Sequence, residues 1–486
     1  MAGGAQEAIG ANGAVEALCG CLEDDHSLAV RERAAGALAN LLSGHGENCR
    51  KAVYRAMAIP RLMRFLETSD GEPASLLAAE NAAAALANIV AATGPMAAQS
   101  ALDAGLLQVL SKLLQSSATS CQVFGLLANL CWHMPETGEE IYHMTPIQKV
   151  VDVLKPSEEQ PPRGRLAALA LAANLAVRSP AKSRLLRAGL LKPMVAVIES
   201  FTDAALREQA SVGLANILED SPESVAKVFL EIPDLPRRLA FLLTNKKQPL
   251  ETSTRKHLSR AIALLASREA SRVSVKESGA PEALLGMAEG NAAKEACRGL
   301  LNLAPVAKDR DKLLKKGILP KLVTLLRAAD VRDVAAGALA NLTAGSKSAA
   351  TEVARLGALS LLAVQLKEVC ALREEDARYE VLGSAENDAP VWVLGAIAHI
   401  VDLVDTPGVR RDAGPAVPFM CQLTCQGEGS VKDLGIFALG AMAKSPELLR
   451  AAVMPFAAAL REVCAAVPAG PLLDRAKLVQ TCVTSR

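Results

Sequence analysis

Residues 105–114 read GLLQVLSKLL, and shortly afterwards residues 121–130 read CQVFGLLANL. In the first stretch a glycine is followed by apolar residues at +2, +5 and +9, namely Leu107, Leu110 and Leu114. Steps of three and four residues put these side chains on one face of a helix. The second stretch is an Ala/Leu-rich helix that closes on Asn129. Neither helix can bury its apolar stripe alone, so the pair needs neighbours of the same kind.

Those neighbours are present. The glycine pattern returns as GAVEALCGCL from Gly13, GLLKPMVAVI from Gly189, GAPEALLGMA from Gly279, GILPKLVTLL from Gly317 and GALSLLAVQL from Gly357. Looser copies without the glycine start at Met57, Thr145 and Asp234, and a further copy keeps it at Gly414. The ten starts are 44, 48, 40, 44, 45, 45, 38, 40 and 57 residues apart, a rhythm of about 40–47 residues that belongs to stacked helical units. The asparagine helix recurs at Asn40, Asn88, Asn129, Asn174, Asn216 and Asn341 as A-N-L or A-N-I, and at Asn302 as L-N-L. The corresponding helices 258–266, 391–401 and 431–443 lack it.

Each unit therefore reads as a short helix, a glycine turn, a middle helix and a long helix ending near asparagine. Glycine supplies the positive φ that stops one helix and redirects the chain. Stacking such units buries one shared spine and makes an array held by nearest-neighbour contacts. The expectation is an all-α solenoid of about ten repeats, one array over 1–486 with the repeats in 8–465. An acidic loop, LREEDARYEVLGSAENDAP (372–390), is expected inside the ninth repeat, and residues 466–486 are expected to form a tail or cap.

Composition agrees. Apolar residues make up 51% of the 486 residues but aromatics only 3%, so the core must come from Ala, Leu, Val and Ile, and Ala and Leu head the helix-propensity scale. The formal charge of +1 lacks the global positive field of a dedicated nucleic-acid binder. Eleven cysteines without a CxxC pair or regular spacing read as free thiols in a reducing compartment. The opening MAGGAQEAIGANG does not read as a signal peptide, and Ala2 breaks the N-myristoylation pattern. The most apolar run, 166–177, is too short for a membrane span.

With these marks the chain resembles the armadillo-repeat family over roughly residues 8–465. The carriers are the Gly-Ala/Leu/Ile turn before the middle helix and the alanine-rich third helix closing on asparagine. The resemblance implies a right-handed superhelix whose third helices line a concave groove. It also implies that groove asparagines hydrogen-bond the backbone of an extended partner peptide. The matching positions here are Asn40, Asn88, Asn129, Asn174, Asn216, Asn302 and Asn341. An amide both donates and accepts, so the chemistry suits a peptide bond. The same asparagines can instead satisfy backbone groups of the adjacent repeat, and the sequence leaves both readings open.

Importin-α, a family member, places tryptophan four residues before each groove asparagine. Here those positions hold Gly36, Ala84, Gly125, Ala170, Val212, Arg298 and Gly337, which argues against a nuclear-import adaptor. The two tryptophans, Trp132 and Trp392, are instead candidate hot spots for a partner. Eight residues before the asparagines, Glu32, Glu80, Glu208 and Asp333 are acidic. They read either as a mildly acidic groove for a basic segment or as ordinary charge at helix N-termini.

No catalytic or cofactor motif is visible. The six histidines show no HExxH or Cys/His spacing; His133 and His143 flank PETGEE in a presumed loop, and His399 takes an asparagine position. There is no GxSxG and no GxxxxGK[ST]. Cys421 and Cys425 read as buried thiols. The expectation is thus a non-enzymatic scaffold or adaptor, without metal or cofactor, whose partners are protein segments or helices. Small-molecule substrates and nucleic acid are not expected. Two alternatives remain: a regulator of a chaperone or small GTPase, and a structural subunit of a ciliary, cytoskeletal or other large assembly. The cytoplasm is the expected compartment, with the nucleus or cytoskeleton as others.

Overall fold

The computed structural model describes residues 2–67, 73–115, 121–155, 162–177, 179–200, 203–219, 221–304, 307–376 and 389–484. The fold is an all-α solenoid: helix makes up 82% of the chain, and there is no strand among the described residues. The chain divides into two compact units, Met1–Pro233 and Asp234–Arg486. The sequence rhythm gives no sign of that division, which falls between the first helix Pro222–Glu231 and the middle helix Leu235–Thr244.

A representative repeat runs through a first helix Pro95–Asp103, a middle helix Leu106–Gln115 and a third helix Cys121–His133. In the first unit the third helices are Leu28–Leu42, Pro73–Thr93, Cys121–His133, Pro162–Leu175 and Ala204–Leu218, each packed on the next. In the second unit they are Thr252–Ser267, Ala293–Leu303, Arg332–Thr343, Ala389–Leu403, Gly429–Met442 and Leu473–Thr484, again packed in sequence. Small side chains make this close stacking possible. Ala82, Ala83, Ala85 and Leu86 are fully buried in one such helix, and Ala335, Ala336, Ala338 and Leu339 in another.

The turns behave as the glycines foretell. Gly13, Gly105, Gly189, Gly279, Gly317 and Gly357 all have φ between 67° and 83°, a region that costs an L-residue about 1–2 kcal/mol. At the second start the glycine is replaced by Met57, and Met57 itself takes φ 48°, the one positive-φ non-glycine residue among the described residues. The backbone thus keeps the turn where the residue does not favour it. Gly414 departs from the pattern: it has φ −49° and opens a short 3-10 turn before the helix Val417–Gln426.

Basic residues four positions after several starts tie consecutive repeats. Arg61 pairs with Glu23 at 2.7 Å, Lys149 Nζ donates to the Leu114 carbonyl at 2.8 Å, and Lys321 Nζ to that of Leu285 at 3.4 Å. Leu114 and Leu285 stand in the last turn of the preceding middle helix, where cations are favoured.

Three expectations need correction. The PETGEE stretch is no loop: Pro135–Thr137 is a 3-10 turn and Gly138–Met144, which includes His143, is the first helix of its repeat. The acidic insertion is shorter than expected, because the middle helix Ala358–Asp376 runs through its first five residues and Ala389 opens the third helix. The rest of it, residues 377–388, lies outside the described residues. Finally, the segment after 465 is a helix of its own, Leu473–Thr484. It completes an eleventh repeat by burying Ala476, Val479, Cys482 and Val483.

If Met57 stores turn strain, Met57→Gly raises stability by roughly 0.5–1 kcal/mol, after allowing for the greater freedom of glycine in the unfolded chain. Gly105→Ala lowers it by about 1 kcal/mol. Urea titrations with unchanged slope measure both, and a Met57→Gly midpoint at or below wild type overturns the expectation.

Candidate functional site

Within each unit the third helices share an open stripe. Counting from the ladder asparagine as zero, positions −8, −4 and 0 lie on one face because they are four residues apart. Nearly all of them are half-exposed, as in Glu80, Ala84 and Asn88 or Lys294, Arg298 and Asn302.

Ladder residues hold adjacent repeats together by one recurring bond. In the first unit, Nδ2 of Asn88 donates to the carbonyl of Ala39 at 2.8 Å, Asn129 to Ala87 at 2.9 Å, Asn174 to Ala128 at 2.8 Å and Asn216 to Ala173 at 2.9 Å. In the second, Asn302 donates to Ala263 at 2.9 Å and Asn341 to Leu301 at 3.1 Å. Every acceptor is the residue just before the ladder position of the preceding repeat. His399 keeps the rule in place of asparagine, with Nδ1 3.0 Å from the Ala340 carbonyl. That carbonyl accepts, so Nδ1 carries the hydrogen. Of the two readings left open by the sequence, the inter-repeat staple is the one observed. It engages one amide N–H of each residue and leaves part of the side-chain surface on the open face, except at Asn216, which is buried. Asn40 heads the series and is exposed; its own carbonyl accepts from Gln6 Nε2 at 2.7 Å.

The glycines at −4 have a packing role. A Cβ on Gly337 would lie 2.5 Å from Leu301 Cδ1 and 2.8 Å from Trp392 Cγ, and one on Gly36 would lie 3.3 Å from Asn81 Nδ2. Trp392 and Asn81 each stand seven residues before the ladder position of the next repeat. At Gly36 and Gly337 the small −4 residue lets a −7 side chain lie over it, whereas Val212 and Arg298 place larger residues at the same position.

The two tryptophans accordingly differ. Trp392 lies half-buried against Gly337. Trp132 is 71% exposed, and Val177, in the same +3 register one repeat later, is 62% exposed. Trp132 lies in the third helix Cys121–His133, which packs on Pro162–Leu175, and Val177 follows the latter by two residues in a turn. Trp132, three residues after Asn129 on the same helix, is thus a bare indole of the kind that marks interaction surfaces.

The acidic row does not form a cluster. Glu32 and Glu80 lie on adjacent third helices, but Cys121 and Leu166 occupy the next two −8 positions before Glu208. Burial raises the Glu80 carboxyl pKa, and Glu80 in turn helps raise that of the Cys121 thiol after burial. In the second unit Asp333 accepts from Gln365 Nε2 at 2.6 Å and is tied to the middle helix of the next repeat, Ala358–Asp376. There the row changes sign. Lys256 and Arg260 hold the −8 and −4 sites of one third helix, and Lys294 and Arg298 those of the next. Lys256 and Arg260 escaped the sequence reading because their helix has Leu264 at the ladder position, so no asparagine marked the register.

Other chemistry is sparse. Among the described residues no group of three His, Cys, Asp or Glu is placed to hold a metal. All eleven cysteines are free thiols, and burial pushes Cys19, Cys297 and Cys421 up to about 12. No single helix among the described residues is long and apolar enough to cross a membrane.

Solved structures share this architecture. An engineered protein from the Northeast Structural Genomics Consortium superposes with TM-score 0.64 at 22% identity, covering 88% of this chain and 99% of its own. A second structure comes from work on a phosphorylation switch controlling the interaction between cadherin and beta-catenin. It matches with TM-score 0.66 at 16% identity, covering 97% of this chain and 94% of its own. Beta-catenin is an armadillo-repeat protein, and the fold here is armadillo-like. No family profile and no curated protein matches the sequence.

Removing a staple amide should cost about 1 kcal/mol, the net worth of a hydrogen bond. Asn174→Ala is expected to lower stability by that amount in urea unfolding, and no change would dismiss the staple as an energetic element. His399 gives a pH test. Burial lowers its pKa in the fold despite the Ala340 bond, so the unfolded chain takes up the proton first as pH falls. Its contribution is complete above the unfolded value of about 6.5 and is lost as pH falls through the folded one. His399→Asn should keep the staple and flatten stability between pH 7 and pH 5, as followed by melting temperature.

Proposed function

We propose that this protein is a non-catalytic interaction scaffold that binds segments of partner proteins along the open face of its third helices. The observation that carries this reading is Trp132, a bare indole three residues along the same helix from the half-exposed Asn129. A tryptophan left 71% exposed forgoes much of the roughly 25 cal/mol per Å² that burial returns. A partner covering it recovers that term, and tryptophan leads the residues at which interface energy concentrates.

The ladder supports the same reading in a second way. Its amides sit at a fixed register, each already oriented by its staple, so a partner backbone meets ordered donors and acceptors instead of mobile ones. Ordering cost is thereby reduced before binding. The similar structure from the cadherin and beta-catenin work concerns a fold of this kind engaged with a protein partner, and a partner of protein nature is proposed here by that likeness. A cytoplasmic location is proposed with it, in keeping with eleven cysteines that form no disulfide.

The test is panning a random 12-residue peptide library on the intact protein and measuring the selected peptides by calorimetry. Trp132→Ala should weaken peptides that carry an apolar anchor about ten-fold or more, as for a hot-spot residue, with helicity and melting unchanged. Val177→Asp should act in the same direction. Selected peptides that bind both variants as tightly as wild type would remove the third-helix face as the site.

A further inference from the structure

The first helices of the first unit carry a bare apolar strip of their own. Gly46–Tyr54 and Pro95–Asp103 are the first helices of consecutive repeats. Tyr54 closes one of them, Met96 stands in the first turn of the other, and Met57 follows Tyr54 by three residues. All three face water, at 62%, 49% and 59% exposure respectively. Two of them meet, because the Tyr54 phenol donates to Met96 Sδ at 3.4 Å. A thioether is a weak acceptor, so the contact leaves the phenol far from satisfied. Met96, Gln99, Ser100 and Asp103 are three and four residues apart and share one helix face. With Pro95 and Met134 they line an open depression of roughly 530 Å³.

Met57 joins this strip at a cost. Six other repeat starts place glycine in the left-handed turn, whereas Met57 takes φ 48° and still leaves its side chain in water. The fold therefore bears the strain and gets no burial in return. Strain of this kind persists at ligand-binding positions, where the side chain serves another purpose. Methionine, unbranched and polarizable, is a side chain that moulds itself to apolar partners.

Area, backbone and charge together say what covers the strip. Its bare area, on the order of a few hundred Å², matches a functional patch on a monomer and falls short of the roughly 800 Å² each partner of a stable complex buries. One short element fits it better than a second copy of the chain. The two first helices use most of their backbone groups internally, and no sheet edge exists among the described residues. A chain buried there must satisfy its own N–H and C=O groups, as a helix does and an extended segment does not. Arg55, between Tyr54 and Met57, is exposed, and its guanidinium has no ion pair or hydrogen bond among the described residues. Carboxylates close to it in the fold are committed elsewhere. Glu47 on the same helix pairs with Arg50 at 2.9 Å, and Glu23 of the preceding repeat pairs with Arg61 at 2.7 Å and Arg64 at 3.5 Å. Asp103, at the far end of the depression, accepts from Gln99 at 2.7 Å.

We infer that Tyr54, Met57 and Met96 form a docking site for a short amphipathic helix of a partner protein, with a carboxylate on the flank of that helix paired to Arg55. The site lies on first helices and stands whether or not the third-helix face binds. Two turns of the partner helix span about 10.5 Å, and packed helix axes are roughly 8–10 Å apart. Apolar residues at i, i+4 and i+7 thus reach from one first helix to the next.

The test pans a display library of 16-residue helical peptides on the full chain, with four stripe positions and two flanking positions randomised in an Ala/Gln/Lys frame. Selected peptides should carry Leu, Met or Phe on the stripe and Asp or Glu at one flank. By fluorescence anisotropy they should bind Tyr54→Ser and Met96→Gln about ten-fold more weakly than wild type, as expected at hot-spot positions. Arg55→Glu should weaken them about five-fold, and a peptide whose flanking acid is changed to Lys should recover that loss. Met57→Gly separates binding from folding: its melting temperature should rise while peptide affinity falls about five-fold. Circular dichroism verifies the fold of each variant. Selected peptides that bind all four variants as tightly as wild type overturn the site, and so does a selection that yields no apolar stripe. Binding of phosphatidylcholine–phosphatidylserine vesicles, or self-association in sedimentation, that is lost in the Tyr54 and Met96 variants also overturns it, by giving the strip to a membrane or to a second copy of the chain.

Discussion

The register of this protein hangs on a side-chain amide, found at six ladder positions and replaced by His399 at a seventh, that reaches back to the carbonyl just before its counterpart in the preceding repeat. Hydrophobic burial supplies most of the cohesion, but burial is not directional. A stack of Ala/Leu-rich rods could slide by a turn and bury nearly the same area. The asparagine bond cannot slide, because its donor sits at a fixed residue and its acceptor at another. Asn88, Asn129, Asn174 and Asn216 repeat the geometry within 0.1 Å of one another. Where glycine holds the −4 position, as at Gly36 and Gly337, the same alignment brings a −7 side chain of the next repeat over it.

Much of this was legible in the sequence, and for physical reasons. A glycine with positive φ and a helix of small apolar residues are strong local signals, so the repeat, its period and the all-α solenoid followed from them. Seven asparagines also marked the stripe that turned out to be open. What the sequence left undecided was where each amide points, because donor geometry depends on the neighbouring repeat about 40 residues away. Trp132 and Trp392 looked alike on paper, yet one is bare and the other covers Gly337, a difference set by +3 against −7 register. Lys256 and Arg260 were passed over because Leu264 gives their helix no marker. Helices continue through 372–376 and 473–484 because good helix formers and apolar positions persist there, whatever charge or terminal position suggests.

The binding reading and the packing reading are not rivals. A residue whose amide is fixed by a neighbour presents the remainder of its surface in a constant pose, which is the condition for recognising a backbone of any sequence. Selection must then come from what lies between the rungs. The two units carry different chemistry on equivalent positions of one framework.

Because each rung asks only for a carbonyl one residue ahead of the neighbouring rung, the rule does not specify which repeat stands next door. Loss or duplication of one whole module would leave every remaining donor with an acceptor in the right place. His399, bonding across a linker longer than most, already shows how much intervening chain the rule tolerates. Length is therefore a free variable for this architecture, and gene-level gain or loss of modules could tune reach while leaving the chemistry of each rung untouched.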